Sequence, residues 1–211
     1  MDVHQAEYYP TSIPAVNFGG TGFAGNARHS AFVWDAIGGA KPLWFVCQAF
    51  DNSLFQKDKD VPAEWRRFPT REELRTMSYT AVASGARGIF YWSMNELRKL
   101  VSEGQSSEDY WQRLSGVTRE LRELSSVLTA ETPEILLRQD NVATLIKNDG
   151  RDIYIIAANY ERKPTKTTLQ VPGVVNASAQ MVFGEGATPV VAGKLTLSLN
   201  SIESRVYRIS K

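Results

Sequence analysis

The chain has 211 residues, 43% of them hydrophobic and 22% charged, which excludes a disordered chain and gives enough apolar surface for one large core or two small ones. Lysine and arginine number 24 against 23 aspartates and glutamates, and a net charge of +1 supplies no electrostatic case for a nucleic-acid partner or an anionic membrane surface. The single cysteine, Cys47, cannot form an internal disulfide, and its apolar neighbours predict a buried, inert thiol.

No apolar stretch reaches the roughly 20 residues of a membrane span. The first ten residues have neither the basic start nor the apolar centre of a signal peptide, so the sequence reads as soluble and without an export signal, which leaves its localisation open. In chain order, Asp2 to Tyr9 reads as a strand ending at Pro10. A glycine-rich loop from Phe18 to Asn26 then leads into a helix around Ala27 to Ile37. Lys41 to Phe50 is a nearly continuous apolar run of strand length, as expected of a parallel strand covered on both faces. Thr70 and Glu73 form a capping box, in which each side chain satisfies a free backbone N–H of the other residue. Leu74, Met77, Ser78, Ala81 and Val82 keep the stripe of a helix with one packed face, and Gly85 stands where a left-handed C-terminal cap belongs. Arg87 to Met94 predicts a third strand. Trp111, Leu114, Val117, Leu121, Leu124 and Leu128 predict a long amphipathic helix.

Three strands joined through helices must run parallel, because a parallel pair needs a crossover. A barrel or a doubly wound sheet meets that condition. Neither a Walker A motif nor a GxGxxG turn follows a strand, which argues against a nucleotide cofactor. After Thr132-Pro133 the pattern changes to short strands and turns: Glu134 to Arg138, Val142 to Lys147, Ile153 to Asn159, Thr167 to Val171, Gln180 to Phe183, Leu195 to Leu199 and Arg205 to Ile209. Asn148-Asp149-Gly150 marks a hairpin between two of them. Seven short strands in about 80 residues predict a small β-sandwich, and the change of pattern predicts two domains, 1–131 and 132–211.

The segments Asp2 to Pro10, Lys41 to Gln48 and Gly85 to Trp92 resemble, in order and spacing, the sixth, seventh and eighth strands of clan-A-like glycoside hydrolase barrels, and a C-terminal β domain is usual in such enzymes. The resemblance spans nearly the whole chain. It implies an α/β fold class, a partial (β/α) TIM barrel of about three parallel βα units followed by an all-β sandwich. Two departures stand out. A full barrel takes roughly 250 residues, so strands one to five have no counterpart here, including the fourth, which usually bears the acid/base. Gln48 matches the position of the usual nucleophilic glutamate, and an amide can serve neither as nucleophile nor as general base.

Glycoside hydrolysis needs two carboxyl groups flanking the bond, about 5–5.5 Å apart in retaining enzymes and roughly 6.5–9.5 Å apart in inverting ones. Barrel sites form at the C-terminal ends of strands, where Glu7, Asp51 and Glu96 stand as catalytic candidates. For each, the default reading is a solvated loop carboxylate or an acceptor for sugar hydroxyls, against which the catalytic role is weighed. Glu7 ranks first because Tyr9 follows it, matching a family position that faces substrate. Tyr9, Gln48, Trp92 and Asn95 are candidate substrate-binding residues, since aromatic faces stack on sugar rings and amides pair with their hydroxyls. Trp92 is open to a core role, the amides are open to backbone satisfaction, and Trp44 reads as packing. His4 and His29 are not paired at metal-ligand spacing, so no metal and no other cofactor is expected.

The expected function is that of a glycoside hydrolase acting on O-glycosidic bonds through paired carboxylates, with a carbohydrate as substrate. The alternative is a non-catalytic carbohydrate-binding remnant. Three parallel strands leave two open edges and an uncovered face, which predicts association into a homo-oligomer, a dimer or larger.

Overall fold

A computed structural model describes residues 3–9, 22–51, 67–93, 95 and 107–210. The first portion runs β1 (His4–Tyr8), α1 (Gly22–Ala36), β2 (Leu43–Gln48), α2 (Arg71–Ala83), β3 (Ala86–Trp92), α3 (Ser107–Glu123) and the short α4 (Ser125–Leu128). β2 pairs in parallel with β1 on one side and with β3 on the other. The result is an open sheet of three strands, and among the described residues no strand pairs with the outer edge of β1 or of β3. All three helices α1 to α3 pack on one face of it, where Ala6, Phe45, Cys47 and Tyr91 meet Phe23, Leu74, Met77 and Val117.

The local signals explain the helices, with two corrections. At the start of α2, Glu73 N–H donates to Thr70 Oγ1 at 3.2 Å, and Thr70 N–H donates to the Glu73 carboxylate at 2.9 Å, the reciprocal cap read from the sequence. Gly85 ends the helix with φ +99°, and a Cβ there would meet the Trp34 ring at 2.5 Å, so both conformation and packing demand glycine. Helix α1 begins at Gly22 rather than Ala27. Gly25 allows close approach to the sheet: a Cβ there would lie 1.9 Å from the Tyr8 hydroxyl. In α3 the buried aromatic is Tyr110, while Trp111, expected on the packed stripe, is exposed.

The second portion comprises β4 (Glu134–Gln139), β5 (Val142–Asn148), β6 (Asp152–Asn159), β7 (Thr165–Gln170), β8 (Ala177–Met181), β9 (Ala187–Val191), β10 (Lys194–Leu199) and β11 (Ser204–Ser210). These eight strands form one antiparallel sheet in the order β4-β5-β6-β11-β8-β9-β10-β7, which corrects the expected sandwich of two sheets. The sheet coils round a core that includes Val142, Ile155, Leu169, Leu195 and Tyr207, until its end strands nearly meet. Gln139 on β4 donates to Thr167 Oγ1 at 2.9 Å, and Thr167 in turn donates to Asp140 at 2.9 Å, so side chains bridge the seam that backbone pairing leaves open. Among the described residues strand predominates over helix, and the parallel portion is an open three-stranded sheet rather than a barrel. The hairpin at Asn148-Asp149-Gly150 forms as read, with Asp149 Oδ1 accepting from Arg151 and Asp152 N–H at 2.9 and 2.8 Å. Those backbone donors hold the Asp149 carboxyl below its usual range.

The two portions share a buried cluster. The outer face of β5, β6 and β11, through Leu145, Ile156 and Val206, packs on Tyr79, Val82 and Ala83 of α2. Beside it, Glu120 of α3 accepts from Arg71 at 2.7 Å, from Arg75 at 2.8 Å and from the Tyr79 hydroxyl at 2.9 Å, while Arg75 also reaches the Ser204 carbonyl at 2.8 Å. A carboxylate buried this deeply is tolerated because it is paired and hydrogen-bonded on both oxygens.

Candidate functional site

Alternation along the parallel strands sorts their side chains between two faces. Ala6, Tyr8, Phe45, Cys47, Ile89 and Tyr91 join the core under the helices. The opposite face carries Gln5 and Glu7 from β1, Trp44, Val46 and Gln48 from β2, and Gly88, Phe90 and Trp92 from β3. Register arranges these in rows: Glu7 is level with Val46 and Phe90, and Gln48 is level with Trp92. The face is strongly aromatic. Trp44 and Phe90 lie with ring centroids 5.0 Å apart, and the indole covers Gly88, where a Cβ would approach it to 2.8 Å. Trp44, read from the sequence as packing, covers Gly88 but belongs to no core cluster and is 39% exposed, with Phe90 at 46% and Trp92 at 53%. Phe90 had no separate signal, because a continuous apolar run does not reveal which of its faces lies open.

Of the candidate carboxylates, Glu7 is exposed at the end of β1, and Tyr9 donates its hydroxyl hydrogen to Glu7 Oε2 at 3.0 Å. The Tyr9 ring meets Phe50 edge-on at 5.0 Å. Burial, and then the bond to Glu7, raise the phenol pKa well above its ordinary value, so at neutral pH Tyr9 remains a donor that holds the carboxylate in place. Asp51 follows β2 and is only 7% exposed. Gln48 is fully buried, with its Nε2 donating to the Phe50 carbonyl at 3.1 Å. That bond ties the amide to the turn leading to Asp51. Trp92 closes β3, and Asn95 beyond it is exposed. Glu96 lies outside the described residues. The structure therefore brings Glu7, Tyr9, Gln48, Asp51 and Trp92 to one end of the sheet, where the C-terminal ends of parallel strands converge. Chemically, this end offers carboxylates, a fixed phenol donor, an amide and flat apolar rings, the groups that recognise sugars by stacking and by hydrogen bonds to hydroxyls.

No protein-family model matches the chain, and no curated protein matches it. Solved structures do. An Anoxybacillus alpha-amylase of a new glycosyl hydrolase subclass is similar with a TM-score of 0.59 at 16% identity, over 85% of this chain and 41% of that one. The alpha-amylase of Geobacillus thermoleovorans, solved with acarbose, gives the same TM-score and identity over 85% of this chain and 42% of its own. A β-L-arabinopyranosidase from Geobacillus stearothermophilus, in complex with arabinose, follows with a TM-score of 0.50 at 13% identity, over 99% of this chain and 58% of that one. At these identities the likeness shows the fold. The chain spans about two fifths of the length of the amylases it matches.

Proposed function

We propose that this chain is the C-terminal part of a glycoside hydrolase, with strands six to eight of a (β/α) barrel over residues 1–131 and an appended β domain over 132–211, and that it acts on O-glycosidic bonds through paired carboxylates. The observation that carries the reading is the convergence of Glu7, Tyr9, Gln48, Asp51 and Trp92 at one end of three parallel strands, in a fold shared with alpha-amylases and an arabinopyranosidase. Glu7 is the first candidate for the reacting carboxylate, positioned by Tyr9. Asp51 and Glu96 are candidates for its counterpart. Tyr9, Trp92 and Asn95 are the candidates to bind the sugar by stacking and hydrogen bonding, while Gln48, expected among them, is fully buried and bonded to the Phe50 carbonyl and so holds the turn that leads to Asp51. The substrate is a carbohydrate, and the open sheet is covered by association with another chain or with copies of this one.

The test is hydrolysis of a panel of aryl glycosides by the purified chain beside its Glu7→Gln, Asp51→Asn and Glu96→Gln variants. The expected result is turnover that falls at least a hundredfold in Glu7→Gln and in one of the other two. Full turnover in Glu7→Gln would remove that residue from the chemistry. No turnover on any substrate, combined with sugar binding that quenches Trp92 fluorescence, would replace the enzyme by a carbohydrate-binding protein.

A further inference from the structure

The antiparallel portion reaches the same end of the parallel sheet as the candidate site. Only Ser84 and Gly85 separate α2 from β3, so α2 ends where β3 begins and starts at the opposite end, where the parallel strands finish. The same return places the first turn of α1 at that end, beside Tyr8. Two loops of the antiparallel portion come to these helix starts, one joining β6 to β7 and the other joining β10 to β11. Buried Asn159 ties them together: its Nδ2 donates to the carbonyls of Lys163 and Asn200 at 2.8 and 2.7 Å, and Ile202 N–H donates to the Glu161 carbonyl at 3.1 Å. Ile202 has φ +50°, a conformation that β-branched residues rarely adopt, and it is buried in the core between the parallel sheet and its helices. Backbone strain of this kind persists only where the surrounding structure over-determines it.

From the first of these loops, Arg162 lies over the Phe23 ring of α1, 5.6 Å from its centroid, and donates to Glu73 Oε1 of α2 at 3.2 Å. Glu73 is buried, and it also receives two bonds from the Arg67 guanidinium, at 2.7 and 2.8 Å. Paired bonds of this kind fix the plane of a guanidinium. The capping box needs only the Thr70 N–H on Glu73, so both arginines are partners beyond what the helix start requires. Arg67 and Asp51 stand at the two described ends of the connection from β2 to α2. Bonding to Glu73 raises the Arg67 pKa, burial opposes the rise, and the charges of Glu73 and then Asp51 add to it, which puts Arg67 within electrostatic reach of Asp51. We propose that Arg162 is a positioning residue for the candidate site: by sharing Glu73 with Arg67, it holds the Arg67 guanidinium toward Asp51, and the antiparallel portion thereby acts on strand ends that belong to the parallel one. The proposal rests on the reading of Asp51 as a candidate carboxylate of a glycosidase.

The test compares Arg162→Gln in the full chain with Arg162→Lys, which keeps the charge, and with Arg208→Gln, which takes another half-exposed arginine from its pair with Asp152. In NMR spectra, Arg162→Gln should speed the exchange of Arg67 guanidinium protons with water about tenfold and shift the Asp51 backbone amide. Arg162→Lys should restore most of the original pattern, and Arg208→Gln should leave both signals unmoved. On an aryl glycoside that the chain hydrolyses, Arg162→Gln should lower kcat about tenfold while KM changes less than about twofold, and Arg162→Lys should recover the rate. Unmoved Arg67 and Asp51 signals in Arg162→Gln, equal movement in Arg208→Gln, or an unchanged kcat in Arg162→Gln would each overturn the proposal. So would an Arg162→Lys chain as impaired as Arg162→Gln. A chain that hydrolyses no glycoside would sink the glycosidase reading, and the NMR comparison would still decide whether Arg162 places Arg67.

Discussion

His29 shows how one side chain can report on the folded sheet. Its ring lies on α1 near Tyr8 and Phe45, with centroids 6.2 and 6.5 Å away. Burial lowers its pKa from 6.5, and the charge of Glu7 opposes that shift only in part. A base with a depressed folded pKa is protonated more readily in the unfolded chain, so unfolding takes up a proton between the folded value and 6.5. The contribution to stability is fully present above pH 6.5 and is lost as the pH falls through that window. Urea unfolding midpoints should therefore decline from pH 7 to pH 5, and His29→Gln should flatten the decline; an unchanged slope in the variant would assign it to the carboxylates alone. At this scale the sequence was a partial guide. Glu7, Asp51 and Gln48 fall at strand ends because strand ends can be read from apolar runs. The exposure of Phe90 and the contact of Gly25 with Tyr8 depend on partners distant in sequence, and no local pattern encodes them.

Among the elements, α2 was the most legible, since a capping box, an apolar stripe and a terminal glycine all agree. β9 was the least. Pro189 sits inside it and argues against a strand, yet the residue lies opposite Ser178, and only Val190 and Val191 pair onward with β10. The coiling of the antiparallel sheet was hidden for a similar reason, because Gln139, Asp140 and Thr167 meet across the seam from well-separated segments. The ionic network on α2 and α3 makes an element-scale prediction. Glu120 is buried and serves Arg71, Arg75 and Tyr79 at once, so Glu120→Gln leaves two guanidinium groups without their carboxylate. Removing one partner of a fully buried pair costs about 3–5 kcal/mol, and the partial exposure of both arginines lowers the expectation to about 2 kcal/mol. Urea denaturation measures it. A loss under about 0.5 kcal/mol would mean that solvent replaces the carboxylate and that the network only orients the helices.

At the scale of the whole molecule, the change of sequence pattern near Thr132 suggests two independent bodies, while the packing joins them. β5 and β6 are buried along almost their whole length, one face against the coiled sheet's core and the other against α2. A strand of a free-standing β domain would alternate between core and solvent. Covering the second face with Tyr79, Val82 and Ala83 makes the antiparallel sheet part of the floor on which α2 rests, and α2 in turn supports β2 and β3 from behind the exposed aromatic face. Melting either portion alone would expose this shared cluster, so calorimetry should show one transition with equal calorimetric and van't Hoff enthalpies. Leu145→Ala opens the cluster from the β side at a cost of about 2–5 kcal/mol and should lower the whole transition. If the transition instead split in two, with one peak unmoved by Leu145→Ala, the portions would fold separately and the support of the strand ends by the β sheet would fail.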